Sequence, residues 1–182
     1  MRVIHALCIL AASTAPAAAA IVVEVGSAGR DCYDATLQAS TPDNDRSGLL
    51  VCQQAVESPN PQIRVAALVN RSDIRLRMQD FNGAVADAEQ ALALPSGLAV
   101  AHLNRGAGLV GLKRDADALP VFDRAIALGG DPAELIYYDR AMAKENLGDL
   151  KGAYADYRKA LEINPKFQMA ADELTRFKVT TR

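Results

Sequence analysis

The stretch ELIYYDRAMAKENLGDLKGAYADYRKALEINPKF, residues 134–167, decides the fold. Its apolar residues recur at helical spacing on either side of Asn146-Leu147-Gly148-Asp149, a turn signal. Small residues stand at Ala141, Ala153 and Ala160, and larger rings at Tyr137 and Tyr157. Small side chains let two helices approach where their axes cross, and larger ones fill the space beside the crossing. Working outward, Ala55, Ala91, Ala125 and Ala160 align at spacings of 36, 34 and 35 residues. Seven residues before each stands Gly48, Ala84, Ala118 or Ala153, and three before each stands Cys52, Ala88, Phe122 or Tyr157. Thr36, Ser72, Gly106 and Ala141 recur twelve residues before the first of those sets. A period near 34 with small residues in fixed places predicts stacked helical pairs, each needing its neighbours to cover its apolar face.

With these residues the chain resembles the tetratricopeptide repeat family. The family's 34-residue pattern has a bulky residue at position 4, small ones at 8, 20 and 27, an aromatic at 24 and Pro at 32. The unit 134–167 supplies Tyr137, Ala141, Ala153, Ala160, Tyr157 and Pro165 at those places. The unit 99–133 supplies His102, Gly106, Ala118, Phe122 and Ala125, with Gly130 in place of Pro. The unit 65–98 has Leu68, Ser72, Ala84, Ala88 and Ala91, with Pro95 one place early. A degenerate unit, 29–64, has Cys32, Thr36, Gly48, Cys52 and Ala55. Position 11, usually large and apolar, holds Arg75 and Lys144. The resemblance implies an all-α fold: a right-handed α-solenoid of antiparallel helix pairs over residues 29–182, closed by a capping helix at 166–179.

Helix starts are marked. Asn60-Pro61, Asp131-Pro132-Ala133-Glu134 and Asn164-Pro165 read as an N-cap with Pro at the first helical position. Asp80 and Asp149 read as caps of second helices. Pro120 would break the body of a helix that began at Asp115, so a start capped by Asp117 is expected, with Pro120 in the first turn.

The composition agrees. The 182 residues include 34 alanines, aromatics are 5%, and there is no Trp, which suits packed helices. Lys plus Arg is 20 against 22 for Asp plus Glu, a formal charge of −2 without the basic stripe of a nucleic-acid binder. Met1-Arg2, the apolar run from Val3 to Leu10 and the small residues up to Ala20 read as a signal peptide, residues 1–20. The alternative is an uncleaved N-terminal helix that anchors the chain in a membrane. Residues 21–28 read as a flexible lead-in. The high Ala and Arg with low Lys have a bacterial look, so an exported, periplasmic protein is expected, without membrane insertion after cleavage.

Catalytic, metal and cofactor readings find no support in the sequence. Beyond residue 20 the chain carries one histidine, His102, at a packing position of its unit, and two cysteines. Neither a Gly-rich phosphate loop nor a Cys/His cluster with metal-ligand spacing is present. No catalytic residue, metal or cofactor is therefore expected, and the chain reads as non-enzymatic. In the family's register, positions summing to 28 lie side by side in a helix pair. Cys32 at 4 and Cys52 at 24 meet that condition. A disulfide is expected in an exported chain, with two buried thiols as the alternative.

The resemblance also places positions 2, 5, 6, 9 and 12 of each first helix on a concave groove. The residues carried over are Asn70, Leu103, Asn104, Ala107, Leu135, Tyr138, Asp139 and Met142. Apolar side chains and Asn amides of this kind suit a protein or peptide partner. The basic clamp by which some members take acidic C-terminal peptides is missing. Arg71, Arg105 and Arg140 recur at position 7, and ion pairs to acids such as Asp87 or Asp123 account for them. The function implied is a scaffold that binds a protein or peptide. The alternatives are a structural subunit of an envelope or self-associating assembly and, further off, an accessory domain of cell-wall metabolism.

Overall fold

The computed structural model describes residues 26–38, 40–94 and 98–177. The expected signal peptide, residues 1–20, lies outside them, as does the lead-in up to residue 25. Every element among the described residues is an α-helix. In chain order they are α1 (Gly26–Leu37), α2 (Pro42–Val56), α3 (Pro61–Arg77), α4 (Phe81–Leu92), α5 (Ala99–Gly111), α6 (Asp115–Ala127), α7 (Ala133–Asn146), α8 (Leu150–Ile163) and α9 (Gln168–Leu174). Each helix packs on the next, and odd-numbered helices also pack on one another from α1 to α7, which gives a solenoid of antiparallel pairs.

Local chemistry sets most boundaries. The Asn60 side chain accepts from Gln62 N at 2.9 Å, with Pro61 opening α3. Asp80 accepts from Gly83 N at 3.0 Å and Asp149 from Gly152 N at 2.9 Å, starting α4 and α8. The first helices of three units end alike. Gln79, Lys113 and Gly148 adopt φ of 60°, 61° and 82°. The following amide then bonds back to the carbonyl five residues earlier, 2.9 Å in each case: Asp80 to Arg75, Arg114 to Leu109 and Asp149 to Lys144.

Four boundaries differ from expectation. Helix α1 begins at Gly26, inside the expected lead-in, and Ala28 packs on the cluster around Cys32 and Cys52. Helix α6 begins at Asp115, not after Asp117, because Arg114 caps it through its carbonyl, which accepts from Ala118 N at 3.1 Å. Pro120 therefore lies inside α6 and removes one helical hydrogen bond. Helix α7 begins with Pro132 in the cap place, so Asp131 gives no side-chain cap. Helix α9 is shorter than the expected 166–179. Beyond Leu174 the bonds tighten to i−3, from Thr175, Arg176 and Phe177. That turn brings Phe177 against the rings of Tyr154 and Tyr157, at 5.7 and 6.0 Å.

The core follows the repeat. Ala84, Ala118 and Ala153, with Ala91, Ala125 and Ala160, are fully buried at helix crossings. Gly106 admits the Phe122 ring so closely that a Cβ there would lie 2.5 Å from it. Cys32 and Cys52 form a disulfide with both residues buried and Cα atoms 4.6 Å apart, which ties α1 to α2 in the degenerate unit.

Candidate interaction groove

The first helices of successive units touch directly, α3 with α5 and α5 with α7, whereas the second helices of neighbouring units have no comparable contact. The odd-numbered helices therefore form one continuous face of the stack. The residues expected to line it fall into two sets. Asn70, Leu103, Asn104 and Tyr138 are buried. Asn104, 4% exposed, donates from Nδ2 to the Val69 carbonyl on α3 at 3.1 Å. The expectation that its amide is open to a peptide is corrected: Asn104 is a strut between two first helices, drawn in by the close approach of α3 and α5. Ala107, Leu135, Asp139 and Met142 are half-buried and remain accessible.

Around α7 the face is aromatic and acidic. The Tyr138 ring meets Phe167 edge-on at 5.4 Å and Tyr157 at 5.6 Å. The Tyr157 hydroxyl donates to Glu145 at 3.0 Å, and Arg176 bridges back to Glu145 at 2.7 Å. Burial first, then this bond, holds the Tyr157 phenol far above its usual range. Asp139 makes no ion pair among the described residues, and burial lifts its carboxyl to about 7. Asp73 on α3 is raised too, chiefly by burial, with Arg77 pulling it back and Asp45 adding to the rise. Arg176 and Phe167 were not expected as neighbours of this face. They come from the capping segment, whose contacts no repeat register predicts.

The recurrent arginines join units together. Arg71 donates to Gln53 on α2, Arg105 to Glu89 on α4 at 3.0 Å, and Arg140 to Asp123 on α6 at 2.6 Å. In each case position 7 of one unit meets position 25 of the unit before. Two of the three also bind an acid of their own unit at position 23. Arg71 and Arg75 share Asp87 at 2.6 and 2.9 Å, and Arg140 and Lys144 share Asp156, both at 2.7 Å. This explains the charges at position 11: they pair with a buried carboxylate. Asp87 thus pairs with Arg71 of its own unit, not with the arginine that follows. In the middle unit both places are apolar, Leu109 and Val121.

The pattern of small residues, paired antiparallel helices and repeated αL turns is therefore carried by at least three consecutive units. A family model described as "Tetratricopeptide repeat" matches residues 135–167. Over residues 135–167 the chain carries a tetratricopeptide repeat. Two solved structures are similar to it. A crystal structure of MamA superposes with a TM-score of 0.64 at 17% identity, over 84% of this chain and 82% of that one. A MamA RS-1 ArsTM double mutant gives 0.61 at 20% identity, over 82% of each chain. At these identities the likeness shows the fold. No curated protein matches the sequence. Among the described residues, no group of three or more His, Cys, Asp or Glu side chains could hold a metal ion, and no helix is long and apolar enough to cross a membrane.

Proposed function

We propose that the chain is a protein-interaction scaffold that takes a protein or peptide segment on the face formed by its first helices. The observation that carries this reading is the accessible strip of Ala107, Leu135, Asp139 and Met142, in which apolar surface surrounds a carboxylate without a cationic partner among the described residues. Binding a segment with apolar side chains and a basic residue would cover the first and neutralise the second. With Asp139 lifted to about 7, the strip gains its charge only as the pH passes neutrality. A basic partner should therefore bind more tightly above pH 7 than below it. Export to an oxidising compartment, the periplasm in the fullest form of the proposal, is supported by the buried Cys32–Cys52 disulfide.

The test is positional. A photo-crosslinking residue is placed at Met142 in one variant and at Lys159, on the exposed side of α8, in another. The scaffold reading expects one partner band from Met142 in cells, lost when Asp139→Lys is added, and none from Lys159. Capture from Lys159 alone would refute it.

A further inference from the structure

In the flanking units a carboxylate of the chain itself fills the space between two cations, Asp87 between Arg71 and Arg75 and Asp156 between Arg140 and Lys144. In the middle unit Val121 occupies the place of that carboxylate and Leu109 the place of the second cation. A cleft of about 430 Å³ opens there between α5 and α6. Arg105, Arg114, Arg124 and His102 line it, with Asp117 as the one acid. Leu109, Val121 and Pro120 supply an apolar wall.

The cations are weakly committed. Arg114 pairs with Asp117 at 2.8 Å, but both side chains are 57% exposed, and Arg105 reaches back to Glu89 with that acid 53% exposed. Such pairs are worth little in water and exchange readily. Arg124 makes no ion pair among the described residues. The His102 Nδ1 is buried and has no hydrogen-bond partner. Burial, then the charges of Arg124 and Arg105, lower its pKa, so the ring is neutral at pH 7. A second anion would reverse the effect of those charges.

We propose that the α5–α6 cleft around His102 binds a small carboxylate ligand, which supplies beside Val121 the negative charge that Asp87 and Asp156 supply in the neighbouring units. The carboxylate meets Arg105 and Arg124, and an apolar body rests on Leu109, Val121 and Pro120. Guanidinium groups suit this role because their forked donors match a carboxylate.

The probe is benzoate, titrated at constant ionic strength into the full chain while imidazole proton shifts are followed by NMR. The His102 signal is assigned by its loss in His102→Gln. The expected result is a saturable shift of that signal and an upward move of its pKa with benzoate bound. Arg124→Gln should weaken benzoate at least tenfold, and Lys159→Gln should leave it unchanged. Val121→Asp restores the internal carboxylate and should abolish the response. A linear, unsaturated shift, or equal affinity in Arg124→Gln, would overturn the proposal whether or not Val121→Asp folds. A stronger response to phenyl phosphate than to benzoate would overturn the carboxylate assignment. None of these outcomes depends on a partner at the first-helix face.

Discussion

Asp87 is fully buried between two guanidiniums, whereas Asp123 meets Arg140 from the surface with its side chain 62% exposed. The two acids look alike in sequence, yet their removal has different consequences. Asp87→Ala leaves Arg71, itself 6% exposed, without its acid, and should cost about 3–5 kcal/mol. Asp123→Ala should cost no more than about 1 kcal/mol. Urea denaturation of both variants measures the difference, and equal midpoints would contradict this account. The same contrast shows what a sequence can reveal about single residues. The position-7 arginines announced themselves by recurrence, and their pairing with acids follows from charge. Which acid is buried does not, because burial depends on how deeply a second helix seats against its first. Asn104 shows the other limit. Its register number marks a groove residue, but the distance between α3 and α5 turns its amide inward to the Val69 carbonyl.

At the scale of helices, boundaries were legible where a side chain makes the cap, as Asn60, Asp80 and Asp149 do. They were not where the backbone does so alone, as at Arg114 and Pro132. The turns closing α3, α5 and α7 share one geometry, yet only the last places glycine at the left-handed position. A residue with a Cβ is strained there by roughly 1–2 kcal/mol. Lys113 is exposed, so its replacement removes no packing. Lys113→Gly should therefore raise stability by about 0.5–1 kcal/mol, the relief being partly offset by the freer unfolded chain. Differential scanning calorimetry reads this as a higher Tm, and a fall would mean that the lysine stem contributes contacts here.

The whole molecule is graded along its length. The last unit, 134–167, matches the repeat pattern at positions 4, 8, 20, 24, 27 and 32, and its Tyr138, Tyr157 and Phe167 rings cluster with Phe177 of the capping segment. The first unit has no ring at positions 4 and 24 and joins them by the disulfide instead. Closing a loop of 20 residues is worth about 3 kcal/mol in the chain-entropy account. Replacing both cysteines with alanine should lower stability by about that amount. Because each unit touches only its neighbours, amide exchange should accelerate in α1 and α2 and stay unchanged in α7 and α8. Uniform acceleration throughout the chain would show one cooperative block instead.

The arginine bridges have a mechanical side. One spans each junction between units, so a pull on the two ends of the stack loads them as links in series. They are not equal links. The Arg71 bridge ends on a neutral amide and is backed by a buried acid, and the Arg140 bridge is backed by Asp156. The Arg105–Glu89 bridge has no such backing and lies in water on both sides, 33% and 53% exposed. In concentrated salt this ion pair is the first of the three to weaken. The junction between α4 and α5 then rests on helix packing and on the Asn104–Val69 hydrogen bond, neither of which salt screens.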